Sequence, residues 1–537
     1  MRPRTALCLM LIIAAIGASV AMMTAVAAEG PEARGADRQR PAAETDGNRI
    51  DELVFGKLKE LGIEPSALCS DAVFLRRVYL DVIGTLPAPR DVRGFLADKS
   101  PDKRSALIDE LLERDEFADY WAMKWCDILR VKSELPSNLW PNAVQAYHRW
   151  IRTAIRDNMP YDRFARELLT SSGSNFRVPQ VNFYRAVGQK KPQEIADVVA
   201  LTFMGARTKS WNAGRRAGMA GLFAKVGYKT TAEWKEEIVY FDPAGELLNP
   251  TTGKPQAPVL PDGTEAALSA ADDPRVAFAD WLVAPENPWF ARCIVNRIWF
   301  WLLGRGIIHE VDDIRPDNPP QNPELLAWLE KELVGQAFDL KHIYRLILNS
   351  RTYQLSAEHT PENIDDEVNF SHYTVRRLGA EVLIDAICQI TGTTESYTSR
   401  IPEPHTFIPA NQRSIALADG SISSPFLETF GRPPRDTGYA SERNNDSSPA
   451  QRLHLLNSTH IHQKIRTSRK LGQLIKRAGR RPQIVRALYI TILSRRPTAA
   501  EEKVALAYLQ SDGLNRREGA IDLAWALLNT KEFMFRH

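Results

Sequence analysis

Asn287 to Arg315 reads NPWFARCIVNRIWFWLLGRGIIHEVDDIR, a helix written with its own start and stop. Asn-Pro couples a capping side chain to a residue whose fixed φ suits a first helical turn. Gly304 supplies the left-handed stop that ends many helices. Between them, Trp299 and Trp301 fall on different faces, so this helix is expected to be buried nearly all round. The acids Asp312 and Asp313 close the stretch. The same grammar recurs at Ser100-Pro101, Asp273-Pro274 and Asn322-Pro323, and Thr498 with Glu501 forms a capping-box pattern. Phe117, Trp121, Trp125 and Leu129 recur every four residues, as do Leu325, Leu329 and Leu333, marking buried helical stripes. The chain is therefore expected to be mainly α, with two helical domains joined by a Pro/Gly-rich segment and at most a short β-hairpin. Ile238 to Phe241 reads as a strand, with Asp242-Pro243-Ala244-Gly245 as the turn and Leu247-Leu248 returning. The boundary falls at residues 242–273, separating domains at 47–241 and 274–537. Residues 398–450, rich in Pro, Ser, Asn and Arg, form a long excursion of the kind that is either functional or irregular.

At 537 residues the chain is too long for a single small core. Its hydrophobic content of 44% and charged content of 25% are those of an ordinary globular protein. Residues 1–28 read as an export signal: Arg2 and Arg4 precede an uncharged run, and Ala25-Val26-Ala27 offers the small residues of a cleavage site. The expected location is thus periplasmic or extracellular, with membrane contact only if this segment stays uncleaved. Residues 29–46 read as a flexible leader. The formal charge is +3 and loses two units with Arg2 and Arg4, so global charge selects no partner. Nucleic acid is not expected outside the cytoplasm. Of the cysteines beyond the signal, Cys126, Cys293 and Cys388 sit on apolar helical faces, and together with Cys69 they are read as small hydrophobes rather than a disulfide framework.

Several ordered motifs carry a resemblance. In the second half, Asn287, Pro288, Phe290, Ala291, Arg292, Val295, Asn296, Arg297 and Trp299 precede Gly304-Arg305-Gly306-Ile307 and Asp312-Asp313. Further on come Asn322-Pro323-Glu324-Leu325-Leu326, Ser350-Arg351-Thr352-Tyr353 and Leu455-Leu456-Asn457-Ser458. In the first half, Leu75-Arg76-Arg77-Val78-Tyr79-Leu80-Asp81 is followed by Tyr120-Trp121, Trp125, Asp127 and Arg130, then Asn182-Phe183-Tyr184-Arg185. Over about residues 47–535 this order resembles secreted planctomycete-type proteins in which a cytochrome-c-associated domain precedes a planctomycete-specific domain, both of unknown function. The resemblance implies a place near redox or polysaccharide-processing systems. It also implies where a haem motif would stand, because relatives commonly carry Cys-x-x-Cys-His after the segment matching Phe203-Met204-Gly205-Ala206-Arg207. Here Thr208-Lys209-Ser210-Trp211-Asn212 follows, so covalent haem attachment has no thiols to use, and no cofactor is expected.

No phosphate loop, nucleophile elbow or metalloprotease helix occurs. His454, His460 and His462 are too poorly spaced on a helix to share a metal and are read as surface or hydrogen-bonded side chains. The weak catalytic candidates are Asp312, Asp313, Asp436 and Glu442, as acid and base of a hydrolase acting on an anionic glycan. Ion pairing with Arg297, Arg432, Arg435 and Arg443 is the competing and favoured reading. Those arginines would otherwise position negative groups. Arg376, Arg377 and Glu381 read as a helix-surface charge pair. From Lys464 to Arg496 there are eleven basic residues and no acid, including Lys476, Arg477, Arg480 and Arg481. This segment is either a polyanion-binding surface or a solvated face balanced by acids such as Glu362, Asp365, Asp366 and Glu367. The expected role is a non-catalytic binding or interaction protein of the cell envelope, with an anionic glycan or an envelope protein as partner. The alternatives are the hydrolase and a haem-free scaffold of a redox assembly.

Overall fold

The computed structural model describes residues 48–248, 253–266, 268–269 and 271–537. Residues 1–28 and 29–46, read from the sequence as an export signal and a leader, lie outside the described residues. Among the described residues the chain is mainly α, and no helix is long and apolar enough to cross a membrane. The capping grammar is visible in detail. Asn322 accepts from Leu325 N ahead of the helix Pro323–Gly335, Asp273 accepts from Arg275 N ahead of Pro274–Leu282, and the Thr498–Glu501 box is fully formed. Two starts shift by two residues. The helix after Pro288 begins at Phe290, although Asn287 still accepts from Trp289 N and Phe290 N, and the helix after Pro101 begins at Lys103.

The strand near Ile238 is real, but its partner differs from the one expected. Glu237–Phe241 pairs with the preceding Val226–Thr230, in register Tyr228 with Val239, and its other edge takes Gly173–Ser174. Leu248 instead makes an isolated bridge to Pro255. Arg376 and Arg377 are also displaced from the expected helix surface. They form a two-residue strand against Phe535–Arg536, and Glu381 is fully buried. Arg376 donates to Trp301 O and Leu302 O, where the helix Phe290–Leu303 runs out of internal donors for its last carbonyls.

The described residues form one compact unit with one continuous apolar core. Its centre is aromatic. Trp121, on the helix Asp115–Ile128, lies 5.3 Å from Trp301 and 4.4 Å from Tyr344, and Tyr161 stacks on Phe290 at 4.5 Å. These rings come from both family-like halves, so each half buries its stripe against the other. Trp299 is fully buried and Trp301 half-buried, close to the all-round burial expected of that helix.

Polar bolts cross the same seam. Arg76 donates to Ile492 O at 2.9 Å and Phe533 O at 3.1 Å, and Arg77 donates to Tyr353 O and His537 O. Asp81 accepts from the hydroxyls of Tyr353 and Tyr373 at 2.9 Å each, and Arg536 completes its shell at 3.0 Å. The Arg-Arg and Asp of the helix Asp71–Val82 thus serve as fasteners for the C-terminal strand. Burying charges this way is tolerable because Asp81 faces both Arg536 and two hydroxyls, although Arg76 Nε, Arg77 Nη2 and Arg536 Nε find no hydrogen-bond partner among the described residues.

Candidate functional site

Asp312 and Asp313, adjacent in sequence, are used separately. Asp312 is buried, takes Arg297 Nη2 at 2.9 Å on one oxygen and accepts Ala440 N at 2.6 Å on the other. Asp313 faces Arg315, 3.2 Å away. Arg297 also donates to Leu201 O and Thr202 O, inside the π-helical turn Ala200–Met204. A π-turn disrupts the ordinary carbonyl pairing, and the guanidinium supplies the missing donors. Burial opposes the charge on Arg297, but Cys293 and Asp312 beside it outweigh that, so it stays protonated. The ion pair is therefore a clamp holding the π-turn, the acidic loop and Ala440 together.

The other arginines converge on Asp127 and Glu381. Arg443 lies 2.7 Å from both carboxylates, Arg435 2.9 Å from Asp127, and Arg432 3.5 Å from Glu381. Arg432 and Arg435 spend further donors on Asp419 O, Ile422 O and Ala418 O. Burial pushes the Glu381 carboxyl up, and Arg443 more than reverses this, holding it at about 2. Asp436 pairs with Lys132 at 2.6 Å. Glu442 accepts from the backbone N–H of Asp436, Thr437 and Gly438, closing its own loop. The four candidate acids are thus divided among a clamp, a surface pair, an inter-half pair and a loop closure. No two of their carboxylates are paired with each other; the one link among them is the Asp436 N–H donated to Glu442.

Lys124 was not flagged by the sequence. It lies half-buried among Arg443, Arg536, Asp127 and Glu381. Burial first, then the two guanidiniums, hold its amine well below the ordinary lysine range. Arg130 is buried beside Gly438, and none of its guanidinium nitrogens has a hydrogen-bond partner among the described residues.

Two of the three histidines are linked in a chain that ends on Glu395. His454 Nε2 lies 3.4 Å from His460 Nδ1, His460 Nε2 lies 2.9 Å from Glu395, and His462 faces Leu456 O. Among the described residues no group of three or more His, Cys, Asp or Glu is placed to hold a metal. The basic segment is split. Lys464 pairs with buried Glu395 at 3.0 Å, Arg486 with Glu502, and Arg495 with both Glu501 and Glu532. The acids that balance it are these, not Glu362 to Glu367; Asp366 is occupied with the backbone of Val368, Asn369 and Ser371. Lys476, Arg477, Arg480 and Arg481 remain exposed with no ion-pair partner among the described residues, and Arg481 donates to Leu509 O.

A cleft of about 420 Å³ opens between the Tyr79–Asp91 region and the helix Ala380–Thr391. Its volume falls in the range of small-molecule sites. Arg90, Arg114 and Arg413 share its lining with Glu116, Asp385 and Glu395. Two carboxyls are pushed apart. Arg114, 2.6 Å away, lowers Glu116, whereas burial raises Asp385 despite Arg413 and the N–H groups of Ser414 and Ile415. Cys388, also in the lining, is raised by burial to about 11 and is 3.6 Å from Lys464 Nζ. All four described cysteines are free thiols, and Cys388 alone is more than marginally exposed. Of the cleft residues only Tyr79 belongs to a quoted motif, and the charged lining residues belong to none, so three-dimensional packing is what reveals the site.

Comparison with known proteins matches the two halves separately. PSCyt2, a protein of unknown function (DUF1549), matches residues 49–210, and PSD1, a protein of unknown function (DUF1553), matches residues 274–509. No curated protein and no solved structure matches the chain. The fasteners at Arg76, Arg77 and Asp81 lie in the first match and the Arg297–Asp312 clamp in the second. The chain belongs to the family in which a PSCyt2 domain precedes a PSD1 domain.

Proposed function

We propose that this chain is an exported, non-catalytic binding protein of the cell envelope that takes an acidic polymer on its basic surface. One contrast carries the reading. The acids nominated for hydrolysis are engaged in ion pairs and backbone capping, while Lys476, Arg477, Arg480 and Arg481 are exposed with no acid partner among the described residues. An unneutralised basic ridge attracts polyanions and loses them as salt rises. Affinity of the mature chain for sulfated and carboxylated polysaccharides, measured at low and high salt, tests this. A Lys476→Glu/Arg477→Glu double variant is expected to lose at least tenfold. Equal affinity in the variant and the parent would remove the ridge from the reading.

A second reading attaches to the cleft, where Asp385 is raised and Glu116 lowered. Carboxyls with separated proton affinities are the arrangement an acid–base hydrolase uses. Asp385→Asn should abolish release of reducing ends from an acidic glycan if this reading holds. The absence of such release by the parent chain retires it.

A further inference from the structure

At the tip of the hairpin, Trp234 is 71% exposed, and its neighbour Lys235 is held at φ 62°. Trp140 stands beside it at φ 71°, immediately before the helix Pro141–Arg156. A bulky residue rarely occupies the left-handed region, and such strain persists only where surrounding structure imposes it. Both frames are pinned. Glu236 accepts from the hydroxyls of Ser174 and Thr231, and Lys235 O accepts from Asn175 Nδ2. Leu139, the residue before Trp140, donates its N–H to Lys132 O and accepts Arg185 Nη1 on its carbonyl. The result is a corner. The two indoles lie 6.4 Å apart at 87°, the Lys235 ammonium is 5.2 Å and 5.3 Å from their centroids, and His405 stands 5.2 Å from Trp140.

From this juxtaposition we infer that Trp234, Lys235 and Trp140 bind an acidic pyranose unit of a glycan. An indole face offers flat, polarisable area at small entropic cost and suits the C–H face of a sugar ring. The ammonium that bridges the indoles then meets the ring's carboxylate or sulfate. A protein partner would call for a broader apolar patch, and here a charge sits between the rings. The inference deepens the proposed function by naming the polymer, and it rests on that reading only for the polymer's acidic character.

Calorimetric titration of the mature chain with hexagalacturonate, a sulfated galactan oligomer and neutral cellohexaose tests it. Trp234→Ala, at an exposed turn, should keep the parent's melting midpoint while weakening the acidic oligomers at least tenfold. Lys235→Gln should weaken the acidic oligomers and flatten their salt dependence, leaving cellohexaose unchanged. Loss in Trp234→Ala with no effect of Lys476→Glu/Arg477→Glu supports the corner and overturns the ridge. The converse pattern leaves the ridge standing and overturns the corner. Failure of all three oligomers to bind the parent chain at millimolar concentration also overturns it.

Discussion

Glu381 and Lys124 face the same group of charges with opposite consequences. Glu381 is held at about 2 by Arg443 against burial, below its ordinary 4.5. Its contribution is therefore complete above pH 4.5 and is lost as pH falls through about 2, because the unfolded chain binds the proton first. Glu381→Gln leaves Arg443 and Arg432 undercompensated in the interior, and truncating one partner of a buried pair costs about 3–5 kcal/mol. Urea midpoints at pH 7 and pH 3 should show a large loss at pH 7 that shrinks at pH 3. Lys124 carries the reverse sign. Its amine is depressed from 10.5, first by burial and then by Arg443 and Arg536. Between its folded value and 10.5 the unfolded chain binds more protons, so stability rises with pH across that window. Lys124→Met, which removes the cost of desolvating that amine, is expected to gain about 1 kcal/mol near neutral pH. It should also flatten the rise of the urea midpoint between pH 7 and pH 10. A variant less stable than the parent at both pH values would show that the amine is favourably engaged.

Elements differ in how far their causes reach along the chain. The Thr498–Glu501 box is contained in four residues, and so it is legible in sequence; Thr498→Ala should cost about 1 kcal/mol, the usual worth of a cap. The π-turn Ala200–Met204 depends on Arg297, 95 residues away for its contact with Thr202 O. No local rule reports such a partner. Arg297→Met would strip the turn of its donors and leave Asp312 buried against Ala440 N alone, at a cost of about 3 kcal/mol or more. Hydrogen exchange at residues 200–206 should accelerate in that variant and stay unchanged in Thr498→Ala. The hairpin makes the same point. Ile238 to Phe241 has visible strand character, but alternation cannot say which neighbour pairs with it. Pairing with Val226–Thr230 rather than Leu247-Leu248 sets Trp234 at the tip. The candidate site was less legible than the helices for this reason: Asp385, Glu116 and Arg413 meet only after the two halves have packed.

At the scale of the molecule, the two family-matched halves share one aromatic core and a set of charged fasteners. Arg76 reaches Ile492 O across 416 residues, and Arg536 reaches Asp81 and the Tyr120 hydroxyl. The last strand is thus as much a part of the first half as of the second. Separating the halves would expose Trp121, Trp301 and Tyr344 together and strip Asp81 of Tyr353, Tyr373 and Arg536 at once. Neither loss is offset by contacts within one half. The intact chain is therefore expected to melt in a single calorimetric transition, and residues 48–241 expressed alone should lack near-ultraviolet dichroism from their buried tryptophans. Arg536→Ala should lower the midpoint of the whole chain, by the equivalent of about 3–5 kcal/mol, because it leaves Asp81 buried and uncompensated. Two resolved transitions, with only one shifted by Arg536→Ala, would mean that the seam is a docking contact between independently stable domains. One transition that shifts as a unit would mean that a binding event at the cleft, whose walls come from both halves, stabilises the entire chain by mass action.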